Sequence, residues 1–283
     1  MTQQNQSSSI GSTVARSSLK STLVTWWKEA GTTVISIILF FIFWELAVRV
    51  FDIKQYILPA PLVVLQQFIK KFKIIWEYTL VTGWETLVGF TLSVVFGIPL
   101  SMVIAFSSFL RKTLYPAAVT LEMIPKIAFA PLFVTGVGFG FLPKMIIVFL
   151  VCFFPILLNG ILGFTSLSQE LRYFSRSTGA DAVTMFFKIR LPAALPELFV
   201  GLKGAATNAT VGAVIAEWIG GAAGLGYYIQ MASGDLRMDI AFAIIIMLAL
   251  LGLGLFYIVV LVERRLIPWH VSQRTPIHGP TSI

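Results

Sequence analysis

The sequence is poor in charge. Asp, Glu, Lys and Arg together make up 12% of its 283 residues, about half the share of a soluble globular domain. Cysteine is almost missing. Cys152 stands alone, so it forms no internal bridge and says nothing of redox compartment. Histidine occurs only as His270 and His278, in a polar tail where both are expected to be solvated, and no metal cluster is spelled out. No G-x-x-x-x-G-K-S/T phosphate-binding loop occurs, so P-loop ATP chemistry must lie on another chain. These shortages exclude a water-soluble enzyme, a disordered tail protein and a disulfide scaffold.

What is present is apolar: 57% hydrophobic residues and a mean hydropathy of +0.87. The net charge of +8 would point to nucleic acid on a soluble chain. On a membrane chain it reads first as a topology signal, because cytoplasmic loops collect Lys and Arg. The expected class is an all-α, polytopic membrane protein with no nucleic-acid partner.

Thr86 to Leu110, Met145 to Gln169 and Ala241 to Val262 contain no charged residue. Each is long enough to cross the ~30 Å hydrocarbon core as a helix. Thr33 to Phe51, Leu114 to Val137 and Phe199 to Ile219 are further spans with polar content, giving six transmembrane helices. With the N-terminus inside, the cytoplasmic loops hold more of the Lys and Arg, which favours both termini cytoplasmic. The cluster Lys70, Lys71 and Lys73 runs against that bias. Residues 1–29 read as a disordered tail and an interfacial helix over Leu19 to Lys28, 30–267 as the membrane domain, and 268–283 as a tail. Leu58-Pro59-Ala60-Pro61 predicts an extended break, and Leu62 to Trp76 an amphipathic helix on the outer surface.

Ionisable residues at membrane depth are costly and mark interior or aqueous faces. Glu122 and Lys126 are four apart and share a helix face that Pro125 and Pro131 break. They read either as part of a translocation path or as a structural ion pair. Glu45 and Arg49 have the same spacing near the outer end of the first span, where a structural pair reaching water is the expectation. In span five, Thr207, Asn208, Thr210 and Glu217 give a polar side to a helix rich in Gly and Ala. That side suits a translocation path or a dimer seam equally. The Gly220 to Gly226 turn after it is a re-entrant segment or a plain loop.

The longest polar insertion, residues 168–197, has its own order. Leu171 to Thr178 predicts a short helix, Gly179 interrupts it, and Ala180 to Ile189 predicts a second, which Leu191-Pro192 ends. Pro196 is then placed to open span five. Such a hairpin either docks a partner or folds back on the membrane surface. Gly179, Ile189 and Leu191-Pro192 fit the G-x9-I-x-L-P half of the loop found in permease subunits of bacterial ABC importers. The stretch 177–203, Leu58 to Pro61, Pro125 to Pro131, and Glu217 followed by Gly224-Leu225-Gly226 resemble the nitrate/sulfonate/taurine branch of that family. The likeness runs from about residue 30 to residue 270. The Glu-Ala-Ala half is absent, since Tyr173-Phe174-Ser175 stand in its place.

The resemblance implies a type I importer fold and a homodimer in the bacterial inner membrane. It further implies two cytoplasmic ATPase subunits holding the ATP and Mg, and an extracytoplasmic binding protein that delivers the solute. Coupling to the ATPase is carried over to Gly179, Ala180, Asp181, Phe186, Ile189, Leu191 and Pro192. Branch members carry nitrate, sulfonates, taurine or the pyrimidine precursors of thiamine and riboflavin, and Pro125 to Pro131 looks more like the pyrimidine or flavin type. The competing expectation is a secondary transporter or channel that uses Glu122, Lys126 and Glu217 as coupling charges.

Overall fold

The computed structural model describes residues 31–167, 177 and 181–269. The interfacial helix, the first helix of the 168–197 hairpin, Gly179, Ala180 and both histidines lie outside the described residues. The chain divides into two compact units at Gln66–Gln67.

The first unit contains helix α1 (Gly31–Val50), an apolar helix of spanning length. Glu45 accepts from Arg49 Nε at 2.7 Å, so the expected i,i+4 pair forms, with Arg49 the more exposed partner. The same carboxylate accepts the Leu62 amide at 3.1 Å. It thereby satisfies a free N–H at the start of α2 (Pro61–Lys70). The break at Leu58 to Ala60 is as expected, but α2 is shorter than predicted. The chain turns at Lys71, and Trp76 already belongs to α3 (Phe72–Phe106), a helix of 35 residues. The charge-free run places the start of this span at Thr86, and the helix begins well before it. Glu85 lies inside it because it has a buried counter-charge.

In the second unit α4 (Ser108–Met123) is followed by a 3-10 turn at Lys126–Phe129 and by α5 (Ala130–Val137). The two stretches meet at 81°. Ile124 and Pro125 are both extended there, because a proline forces the residue before it out of the helical region. Pro131, by contrast, sits in the first turn of α5, where its missing N–H costs nothing. α6 (Phe141–Thr165), α7 (Leu191–Gly220), α8 (Leu225–Gly234) and α9 (Met238–Leu266) complete the unit. Among the described residues, five helices are long and apolar enough to cross a membrane, or six if the bent pair counts as one span.

Span five departs most from expectation. It begins at Leu191 rather than near Pro196, because a wide π-turn over Phe186–Arg190 runs directly into it. That turn makes room for the Pro192 ring, so Pro192 opens α7 instead of ending the helix before it.

α6 is the centre of the unit and packs most extensively on α7 and α3. Lipid chains are as apolar as leucine, so membrane helices gain by close approach at small residues. On α3 these recur every four positions: Gly89, Ser93, Gly97 and Ser101, all buried. A Cβ on Gly89 would come within 2.6 Å of Val148 on α6. On α7, a Cβ on Gly201 would fall 2.7 Å from Asn159 Cβ and 2.8 Å from the Pro155 carbonyl. The Gly/Ala face of span five is therefore filled largely by α6 of the same chain. Gly201→Val should destabilise the purified chain by about 1–3 kcal/mol through overpacking, read as a lowered melting temperature in detergent. Gly254→Ala, with open space around it, should leave that temperature within error.

Candidate functional site

At the end of α7 away from the 181–190 segment, four elements meet on a buried polar cluster. Glu217 and Glu85 are 0% and 2% exposed, and Lys144 is 5% exposed. Lys144 Nζ donates to Glu85 Oε1 at 2.5 Å and reaches the Ala223 carbonyl at 3.5 Å. Glu217 Oε1 accepts from the Thr82 hydroxyl at 2.7 Å, and its Oε2 accepts the Gly226 amide at 2.5 Å. The Thr82 hydroxyl in turn accepts the Leu225 amide at 2.7 Å. Trp218 Nε1 donates to the Gly226 carbonyl at 3.0 Å. The Gly-rich turn is thus no loose loop: side chains from α3, α6 and α7 hold its backbone.

Gly224 is required by this arrangement twice over. Its φ of +117° is one that side chains rarely adopt, and a Cβ would fall on the Glu217 carboxylate. The cluster frees the N-terminal amides of α8 from needing water, since Thr82 and Glu217 take up those of Leu225 and Gly226.

The sequence placed Glu217 here but missed Glu85, Lys144 and Thr82. Glu85 and Lys144 each sit one residue outside a charge-free window, which keeps them out of the predicted spans. A signal was available in sequence: Glu85 is two helical turns inside α3 from Glu77, and spans of opposite direction can bring such edge charges together. The predicted stripe on span five is split. Thr210 is buried toward α9, 3.3 Å from where a Gly252 Cβ would stand. Thr207 and Asn208 are exposed, and the Thr207 hydroxyl bonds back to the Lys203 and Gly204 carbonyls. Lys203 itself donates to both Glu263 oxygens at 3.0 Å.

Glu122 and Lys126 do meet, though not as an ion pair between side chains. Lys126 Nζ donates to the Glu122 backbone carbonyl at 2.6 Å and lies 5.3 Å from the Phe154 ring centroid. The helix break lets the ammonium turn back on a carbonyl freed at the C-terminus of α4, where a cation is favoured.

In the hairpin, Asp181 is exposed and caps the one-turn helix Ala182–Met185 by accepting the Thr184 amide at 3.4 Å. The Thr184 hydroxyl and amide hold its carboxyl below the usual carboxylate range. Phe186 turns inward, edge-on to Phe106 and stacked on Phe164. Leu191 packs in the same cluster, and Ile189 is half-buried. Val183 and Phe187 are the exposed apolar groups, at 64% and 61%. They line a cleft of about 500 Å³ with Met102, Phe106 and Arg190.

Residues 97–268 match the family described as binding-protein-dependent transport system inner membrane component. The chain belongs to that family. It is 32% identical over 248 residues to a riboflavin transport system permease protein of Chloroflexus aurantiacus, covering 87% of this chain and 92% of the relative. A formylaminopyrimidine transport permease protein of Halalkalibacterium halodurans is 30% identical over 233 residues, 82% and 93% of the two chains. A taurine transport system permease protein of Escherichia coli is 29% identical over 196 residues, 69% and 71%. A solved chain of the MetNI methionine ABC transporter is similar at a TM-score of 0.47 and 19% identity, over 66% of this chain and 96% of that one, too distant to carry an argument.

The chain is therefore a membrane-spanning permease subunit of an ABC importer, of the nitrate/sulfonate/taurine type, in the bacterial inner membrane. The expectation of a secondary transporter is not supported. Family members work with an ATPase and a binding protein, which makes both of these partner classes. Lys144→Met should destabilise the importer subunit by about 3 kcal/mol, because it strands buried carboxyls without their cation. The double change Lys144→Met, Glu85→Met should recover most of that loss in thermal unfolding.

Proposed function

We propose that two copies of this permease form a homodimer whose solute path runs along the exposed strip of α7. The observation that carries this is the pairing of Thr207 and Asn208, polar and exposed on a spanning helix whose opposite face is filled by α6. Polar groups at that depth face protein or an aqueous cavity rather than lipid. Gly204, with open space beside it, lies on the same strip. Glu122 and Lys126, at the break between α4 and α5, add a polar rim to the path. Buried Thr210 and Glu217 have no direct part in it; Glu217 shapes the outer turn instead.

Both termini are cytoplasmic in this reading. Lys112, Lys188, Arg264 and Arg265 are exposed at the end of the bundle that carries the hairpin, as the positive-inside bias requires. The hairpin with Gly179, Ala180, Asp181, Ile189, Leu191 and Pro192 receives the ATPase. Phe187 and Val183 form its docking face, while Phe186 fixes the hairpin to α3 and α6. ATP-driven closure of the ATPase pair moves the hairpin and α7 with it, and alternates access to the path. The solute is a pyrimidine- or flavin-type heterocycle, supported by higher identity over more of the chain to the riboflavin and formylaminopyrimidine permeases than to the taurine permease.

Phe187→Asp should weaken ATPase binding about 30-fold or more, as loss of an interface anchor does. The measurement is co-purification of the co-expressed ATPase, with gel filtration confirming a folded permease. Retained binding would remove Phe187 from the docking face. In proteoliposomes with the matching binding protein, riboflavin or formylaminopyrimidine uptake is expected to exceed taurine uptake. Preferred uptake of taurine would overturn the solute assignment alone.

A further inference from the structure

Two acids and one base are buried together beneath the Gly-rich turn, and their donors do not suffice. Lys144 serves Glu85 Oε1 and the Ala223 carbonyl. The Thr82 hydroxyl and the Gly226 amide serve the two oxygens of Glu217. Glu85 Oε2 is buried and has no donor at all. Yet both carboxyls are anchored beneath the same turn, Glu85 through Lys144 and the Ala223 carbonyl and Glu217 through the Gly226 amide, and Thr82, which donates to Glu217, stands one helical turn before Glu85 on the same face of α3. Two carboxylates in contact inside a protein repel, and one proton between them turns that repulsion into a short, strong hydrogen bond.

No second cation is at hand among the described residues. Lys144 is the ionisable group of α6 that faces the pair, and α5 carries none. On α3, Glu77 is exposed and Tyr78 stacks on Tyr228 of α8 at 4.9 Å. Tyr227 of α8 is 6.4 Å from the same Tyr78 ring. On α9, Asp239 is held by Arg237 and Glu263 by Lys203. On the 3-10 turn, Lys126 is engaged by the Glu122 carbonyl.

We infer that Glu85 and Glu217 hold a single shared proton, which makes the buried cluster neutral and completes the seal of the Gly221–Gly226 turn against α3. The proton supplies the donor that Glu85 Oε2 lacks, and leaves Glu217 Oε1 and Oε2 free to keep the Thr82 and Gly226 bonds. Parting the turn from α3 admits water to both carboxyls and removes the reason for sharing. The shared proton is independent of which solute the importer carries.

The test is infrared spectroscopy of the full chain with its ATPase in lipid nanodiscs. At neutral pH the wild type should show the carbonyl stretch of a protonated carboxylic acid, shifted in D2O and lost at alkaline pH. Glu85→Gln and Glu217→Gln should each abolish the band, because the acid left behind has Lys144 and a new amide donor. Glu263→Gln should keep it. Absence of the band in the wild type, or its survival in either single variant, overturns the proposal. The wild type alone supplies a second reading should a variant not fold. A folded chain that binds a proton released on unfolding loses stability as pH rises, so its melting temperature should fall on the alkaline side. A flat or rising profile, or stabilisation at neutral pH by sodium ions, would mean that no proton occupies the pair.

Discussion

Close approach of α6 to α3 and α7 is the constraint on which the other features rest. In lipid a helix gains little by exchanging acyl chains for leucine, so the helices are held by what the smallest side chains permit. Gly89, Gly97, Gly160, Gly163 and Gly201 each leave no room for a Cβ without displacing a neighbour. Only at such separations can short polar groups reach across. Ser93 Oγ bonds the Phe149 carbonyl at 2.9 Å, and Thr82 reaches Glu217 across 135 residues of sequence. A wider seam would strand those hydroxyls, and the Glu85–Lys144 pair would open to lipid or water.

The charged groups of this permease sort by the same logic. Each ionisable side chain buried in the second unit has a partner on another helix or at a helix end: Glu85 with Lys144, Glu263 with Lys203, Asp239 with Arg237. Burying a charge alone costs far more than burying it paired and hydrogen-bonded. Thr207 and Asn208, exposed midway along α7, are uncharged, which lets that surface meet either a second copy or water at small cost.

Much of this architecture was legible in the amino-acid sequence. The long apolar runs announced the spans, Pro125 announced the break, and the Gly179 to Pro192 motif announced the family. Span ends were harder to read wherever a charge was neutralised from afar. Thr86 marked the start of span two only because Glu85 appeared unpaired, and Lys144 was misjudged for the same reason. Pairing across 59 residues has no local signature. The Pro192 error had a different source: proline usually ends a helix, and the wide Phe186–Arg190 turn that accommodates it leaves no mark in composition. Thr207 and Thr210 share a side by spacing, yet which neighbour each meets is a tertiary fact.

The uninterrupted passage from the π-turn into α7 joins the two ends of the subunit mechanically. α7 is 30 residues long, about 45 Å from end to end. Its near end follows the turn that carries Phe187, and its far end carries Glu217. A tilt of about 5° about the near end sweeps the far end through about 4 Å over that length, beyond the reach of a hydrogen bond. A tilt of that size would therefore part Thr82 from Glu217, so the bond fixes the angle of α7 against α3 much as a latch fixes a long door.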